Sequence, residues 1–457
     1  MMNSLRVIGH MRNVVCLLAL AIVMPLMAEP SIEIDVHRPQ QKITMMGADM
    51  ERSANALQHA KNKDEIFKWV FLDTEGVNYL RVVYDKHQEL EQGTKDFGFY
   101  KKQVASMLDI KKLRPDIRFW ATLRTDYDGY GTRNNLPDWI YKGGGYDGGK
   151  YDPSLLETKL FAGFIVDFLE YMQQQEVPIR ILTLAKEWKQ VASVAKRKEV
   201  IAELKRMCAQ RKVQMPYIVG PATWSLKGGI NDLRQVQKVG NASDYAGFST
   251  HQYNKGTEKD WETFIGLANA MGKPAYDDES HTGGGGRTYG EEVPVHKLAE
   301  TYSKKSRAYR AGLEGEVFFE NWSRGINSET RSIYFKWGGK AKRMRAYWLF
   351  KHFASNTMGA HYIPSRTKLE NVETMCFRKD DSVTLWILNP SERAFADVPL
   401  EIKGDFTFKQ EVQQIRWSDA DKELQGTTET LELDQRKNLT VDLKPGAVQF
   451  LRFEIER

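Results

Sequence analysis

The sequence predicts a (β/α)8 barrel with an attached antiparallel β-sandwich, and three observations carry that prediction. Strand-like apolar runs alternate with amphipathic helical segments over roughly 280 residues, as a closed parallel sheet requires. Beyond His361 the alternation gives way to short strands at regular spacing, separated by turn signals such as Asn389-Pro390-Ser391 and Pro445-Gly446. The 457 residues include 21 Phe, 19 Tyr and 11 Trp, enough apolar bulk for a large core and too much for disorder as the main state.

The opening residues stand outside this pattern. Met1–Asn13 carry Arg6 and Arg12 without an acid, Val14–Leu26 is a short apolar run, and Met27-Ala28 precedes Glu29. This reads as a secretory signal over 1–28, with an uncleaved anchor helix as the alternative. The mature chain is then secreted or periplasmic, with no stable membrane insertion. Its removal takes two cations from a formal net charge of +6 and leaves Cys208 and Cys376, expected to be buried thiols. So slight and dispersed a charge gives no argument for a nucleic-acid partner.

The barrel elements follow in order. Strands are read at Val77–Asp85, Ile117–Leu123, Ile179–Ala185, Tyr217–Gly220, Tyr245–Ser249, Pro274–Tyr276 and Glu316–Phe319. Helices are read at Tyr100–Leu113, Lys159–Gln174, Lys198–Arg211, Trp261–Met271 and Val295–Ala311. An open doubly wound sheet is the structural alternative, but no phosphate-binding Gly loop directly follows a strand. The sandwich strands are Val383–Leu388, Val398–Ile402, Phe406–Phe408, Val412–Trp417, Leu431–Leu433, Leu439–Leu443 and Val448–Phe453. Ile32–Val36 and Lys42–Met46 are expected to join them. The organisation is therefore a signal over 1–28, N-terminal strands over 29–46, a barrel over 47–363 and a sandwich over 364–457.

Chemistry in such a barrel sits where strands end at its C-terminal face. The fourth strand runs into Lys186-Glu187-Trp188, and the seventh into Asp277-Asp278-Glu279-Ser280-His281. Glu187 and Glu279 thus come from strands lying roughly across the barrel. Two carboxylates about 5–5.5 Å apart cleave a glycosidic bond with retention, one as nucleophile and the other as acid and then base. That division requires environments that keep one ionised and the other protonated. The residues alone leave a second reading open, in which either Glu pairs with a nearby Arg or Lys. A metal reading also exists, for which strand alternation lets only Asp277, Glu279 and His281 point together.

The order of these elements resembles a clan-A retaining glycoside hydrolase, nearest to family 30. The resemblance starts at Gly47-Ala48-Asp49, takes in Arg81, and continues through FWATLRTDY and NNLPDWIY at the third strand. The helix leading into Glu187 stands before the family's acid/base position, Ser249-Thr250-His251-Gln252-Tyr253 is similar to its sixth-strand motif, and Glu279 falls at the nucleophile position. AYWLFKHFASNTMGAHYIPS followed by VTLWILNPSE resembles the passage into the family's β-sandwich. The resemblance implies Glu187 as acid/base and Glu279 as nucleophile, a poly- or oligosaccharide as substrate, and no cofactor or metal. It also implies that Arg81 holds the nucleophile ionised. A non-catalytic carbohydrate-binding protein on the same fold is the rival.

One position departs from the family. Asn normally precedes the acid/base and bonds the 2-hydroxyl of the bound sugar, whereas this chain has Lys186, which donates but does not accept. Two readings follow: Lys186 faces an acidic, sulfated or anhydro sugar, or it is a structural ion-pair partner. Among supporting residues, Tyr253 is placed to hydrogen-bond Glu279 and His251 to orient a sugar hydroxyl. Trp139, Trp188, Trp224 and Trp322 stand at or after strand ends, where indole faces stack on sugar rings; Trp322 is the leading platform and Glu320 a subsite residue. Trp120, inside the third strand, is read as core. Asp49, Glu51 and Arg52 are read as a subsite or as ion-pair partners. Tyr127, Tyr130 and the Gly-rich segments at Gly143–Gly149 and Gly283–Gly286 are read as cleft walls.

Overall fold

The computed structural model describes residues 31–124, 135–147, 150–184, 186, 192–253, 256–281, 289–325 and 331–456. Eight parallel strands close a barrel: Met45–Asp49, Tyr79–Tyr84, Arg118–Leu123, Ile179–Thr183, Tyr217–Thr223, Gly247–Thr250, Ala275–His281 and Gly315–Phe319. Each pairs with its neighbours in chain order, and the eighth closes on the first. Parallel strands covered by helices are buried on both faces and read as nearly continuous apolar runs, as Tyr79–Tyr84 does with every residue buried.

Among the described residues eight major helices surround the sheet, from Lys63–Phe71 after the first strand to Arg345–Thr357 after the last. Leu226–Val239 escaped the sequence reading because Gly228 and Gly229 weaken its helical pattern. Its ends are nonetheless well specified: the Ser225 side chain accepts from the Gly228 N–H, and Gly240 closes it in the left-handed region. Gly229 is required by close approach, since a Cβ there would stand 2.9 Å from both the Phe264 ring and the Thr250 hydroxyl.

Inside the barrel, one apolar side chain from each of seven strands forms a plug: Met45, Tyr79, Trp120, Ile181, Val219, Tyr276 and Val317. Trp120 is fully buried within it and donates its indole N–H to the Thr183 hydroxyl at 2.8 Å. Polar chemistry is thereby confined to the layer above, at the C-terminal ends of the strands.

The sandwich comprises a six-stranded and a four-stranded sheet. Ile32–Asp35 enters the smaller one, antiparallel to Ser365–Thr367 and parallel to Phe395–Lys403, so one pairing departs from an antiparallel sheet. Lys42–Met46 was expected in the sandwich too; Lys42 does bridge His361 of the six-stranded sheet, but for Met45 and Met46 the expectation is corrected. Met45 and Met46 belong to the first barrel strand and pair with Gly315 and Glu316; Met45 completes the interior plug and Met46 packs into the core outside it. The two modules share packing, with Tyr302 of the helix Val295–Arg310 stacked on Trp386 of the sandwich at 5.7 Å and 14°. Cys208 and Cys376 are buried free thiols. Among the described residues no helix is long and apolar enough to cross a membrane.

Candidate active site

The layer above the plug is ionic. Arg81 is the single charge of its strand and is fully buried, a position that demands carboxylates around it. Four converge. Its Nε pairs with Asp49 at the end of the first strand, and Nη2 lies 3.4 Å from Glu51 Oε2. Nη2 also lies 2.5 Å from Glu279 Oε1, while Nη1 donates to the Asp278 carbonyl at 2.6 Å and lies 3.8 Å from its carboxylate. The signal was present in the sequence: one Arg in an otherwise uncharged strand, next to a preceding strand that ends in Asp49 and leads to Glu51.

Asp278 and Glu279 are consecutive, and simple alternation would send them to opposite faces. The seventh strand changes register against the eighth between Asp277 and Ser280. Such a bulge re-aims side chains, and here both Asp278 and Glu279 reach Arg81. The expectation that only Asp277, Glu279 and His281 point together is corrected accordingly. Among the described residues no group of His, Cys, Asp and Glu is arranged to hold a metal ion.

Lys186, just beyond the fourth strand, is fully buried, pairs with Glu51, and places Nζ 3.4 Å from Glu279 Oε1. Of the two readings of Lys186, this arrangement matches the ion-pair partner, since its ammonium is engaged with two carboxylates inside the protein. His251, which follows the sixth strand, sets Nδ1 2.9 Å from Glu279 Oε2 and Nε2 3.5 Å from Asp278 Oδ1.

These neighbours divide the carboxylates. Burial alone would push Glu279 up, but Lys186, His251 and Arg81 outweigh it and hold the carboxyl well below the usual range. Glu51 is also lowered, burial being overcome by Lys186, Arg81 and Arg52. Asp49 goes the other way: burial raises it to about 7, with Arg81 opposing. Burial raises Asp277 to about 7 as well, with Glu316 adding to the rise. Glu279 and Glu51 are thus held ionised, whereas Asp49 and Asp277 are pushed up toward neutrality.

Glu279, Tyr253, Asp277, His281 and Lys304 help to line a cleft of about 330 Å³ beside the seventh strand. Tyr253 meets His251 edge-on at 5.5 Å and lies 6.3 Å from the ring of Trp224, nearly parallel to it. Trp224 is 40% exposed, an open indole face in the neighbourhood of Glu279. Burial lowers His281 to about 4, with Arg331 and Lys305 contributing, so its ring is neutral at pH 7.

Trp322 is corrected as a platform. It is fully buried, donates its indole N–H to the Ser53 hydroxyl, and packs 6.2 Å from the Phe71 ring. Its place after a strand end turned it toward the helices rather than the mouth. Trp139 is half-buried, bonds the Glu89 carbonyl at 2.9 Å and packs on Phe164. Glu320 is fully buried with Arg324 Nε at 3.2 Å, and burial raises its carboxyl against the pull of Arg324 and Arg331. Glu187, Trp188, Tyr127, Tyr130 and Gly283–Gly286 lie outside the described residues, as do Gly148 and Gly149.

No family model matches the chain, and no curated protein does. Solved structures do. A glycoside hydrolase family 30 subfamily 8 xylanase from Clostridium acetobutylicum superposes with TM-score 0.65 at 13% identity, covering 93% of this chain and 99% of that one. The catalytic domain of a family 30 xylanase from Talaromyces cellulolyticus gives 0.66 at 12% identity over 93% and 100%. An endo-β-1,6-glucanase gives 0.65 at 13% identity over 93% and 94%. The chain has the fold of the family 30-like clan-A glycoside hydrolases, barrel and sandwich together.

Proposed function

We propose that the protein is a retaining glycoside hydrolase, with Glu279 as nucleophile and Glu187 as acid/base, cleaving β-glycosidic bonds in a poly- or oligosaccharide by double displacement. One observation carries the reading: Glu279 is a carboxylate at the mouth end of the seventh strand, kept ionised by Arg81, Lys186 and His251. Such a group attacks the anomeric carbon as Glu187 protonates the departing oxygen, leaving a glycosyl ester on Glu279. Glu187 then takes a proton from water, which attacks the same carbon and releases the Glu279 carboxylate. The cations around Glu279 stabilise it again as a leaving group. The chemistry needs no cofactor.

The shared fold supports this reading, since the solved structures similar to the chain include xylanases and a glucanase. The segment 1–28 supports a secreted or periplasmic location, where polysaccharides are met. Because Lys186 is paired with Glu51, the 2-hydroxyl contact that the family takes from Asn must come from another side chain.

The test incubates the full chain with a panel of plant and algal polysaccharides and follows new reducing ends and the anomeric form first released. Hydrolysis with retention, abolished in Glu187→Gln and Glu279→Gln, is the expected outcome. Inversion at the anomeric carbon, or full activity in Glu279→Gln, overturns the mechanism. Binding without hydrolysis by the unmodified chain favours the carbohydrate-binding rival.

A further inference from the structure

A second set of side chains, separate from the Glu279 cluster, forms a cationic groove with aromatic walls. It has a volume of about 490 Å³ and is lined by Trp69, Lys340, Lys342, Arg343, Trp348 and Lys422, with Glu65 and Glu423 as its acids. Four parts of the fold meet there: the first barrel helix, the segment between the eighth strand and the last barrel helix, the start of that last helix, and a turn of the sandwich. Four Lys or Arg against two Glu among its lining residues give the groove a net positive charge.

The cations are arranged to meet an anion. The Arg343 guanidinium carbon stands 5.0 Å from the ring centre of Trp69, 4.7 Å from Trp348 and 5.6 Å from Tyr347. Rings, not a carboxylate, fix the guanidinium, so its charge and planar fork stay available for sulfate or carboxylate. Lys340 and Lys422 are exposed and make no hydrogen bond or ion pair among the described residues. Lys351 approaches Trp348 at 5.6 Å.

We propose that this groove is a second saccharide-binding site, for polysaccharide chains that carry sulfate or carboxylate groups. Single-stranded nucleic acid, the other flexible polyanion, binds by stacking bases on open ring faces. Here Arg343 lies against both indoles and Lys351 against Trp348 as well, so those faces are not open for stacking. A saccharide chain instead meets the cations through its anionic substituents, while the indoles hold Arg343 in place. The site would hold a chain beside the barrel and does not depend on Glu279.

Affinity electrophoresis of the full chain tests the proposal, with dextran, dextran sulfate or polygalacturonate in the gel. Retardation by dextran sulfate, polygalacturonate or both, with none by dextran, is expected; which polymer acts distinguishes sulfate from carboxylate recognition. The double variant Lys340→Glu/Lys422→Glu changes two exposed positions without partners, so its fold is retained. Its affinity should fall about tenfold or more, because two attractive charges become repulsive. Trp348→Ala, which frees Arg343, should weaken retardation independently, and Glu279→Gln should leave it unchanged. That last variant separates the groove from the catalytic reading. Unretarded wild-type protein, undiminished retardation of the double variant, or equal competition by single-stranded DNA overturns the proposal.

Discussion

Arg81 places Nη2 2.5 Å from Oε1 of Glu279; Arg81 is fully buried, and Glu279 is nearly so where it borders the cleft. The contact joins the second strand to the seventh and, with Lys186 and His251, holds a carboxylate charged where burial alone would neutralise it. Arg81 pairs at the same time with Asp49 on the first strand, so one guanidinium ties three barrel strands together at the mouth. Structure and chemistry rest on the same atoms.

Arg81→Met removes the contact and the charge. Glu279 then titrates at higher pH, because a cation that favoured its ionised form is gone. The acidic limb of the kcat/KM profile should shift upward, and kcat/KM at neutral pH should fall by about 10²–10³. Arg81→Lys should fall between the two, since it keeps the charge without the fork. Circular dichroism confirms that the variants compared are folded, and an unmoved acidic limb in folded Arg81→Met contradicts the role.

Lys186 and Glu51 should behave as a unit. Lys186→Met leaves Glu51 and Glu279 buried with less compensation and should cost about 3–5 kcal/mol of stability. Adding Glu51→Gln removes one of the stranded charges, so the double variant should be more stable than Lys186→Met alone. Urea denaturation of both singles and the double measures the coupling. Strict additivity would show that the pair does not interact.

How far the sequence foretells this site depends on the distance between its parts. Barrel and sandwich are legible because strand and helix periodicities are local, and Glu279 because it stands at a strand end. The pairing of Lys186 with Glu51 joins positions 135 residues apart, and nothing local in either segment announces it. The bulge that turns both Asp278 and Glu279 toward Arg81 is a mismatch between strands, invisible within one of them. Trp322 was misjudged for a related reason: position after a strand end does not give side-chain direction, which its bond to Ser53 settles.

The buried acids predict opposing pH trends. Burial raises the Asp277 carboxyl from its ordinary 3.8 to about 7, so its contribution is fully present below the unfolded value and is lost as pH rises through about 7. Glu51 and Glu279 are shifted below 4.5, so their contribution is present above that value and lost as pH falls through their folded values. Stability should therefore peak at mildly acidic pH. Asp277→Asn removes its share of the alkaline part, Asp49 keeping the rest, and its melting temperature should fall less between about pH 4 and pH 7, the window the two Asp277 values define, than the wild type's. Parallel curves for the two proteins would assign the alkaline loss elsewhere.

Trp224 and Trp322 separate surface from core by opposite phenotypes. Trp224 is 40% exposed and lies against Tyr253, so Trp224→Ala should leave folding nearly unchanged while removing a stacking face for the sugar. KM should rise, by about tenfold if the lost stacking is worth about 1.4 kcal/mol, with a smaller change in kcat. Trp322→Ala opens a cavity between Ser53 and Phe71 and should destabilise the protein by about 3–5 kcal/mol. The molecules that remain folded should keep a normal KM, because the indole never faces the cleft. A KM raised by Trp322→Ala and untouched by Trp224→Ala would reverse the assignment and restore Trp322 as the platform.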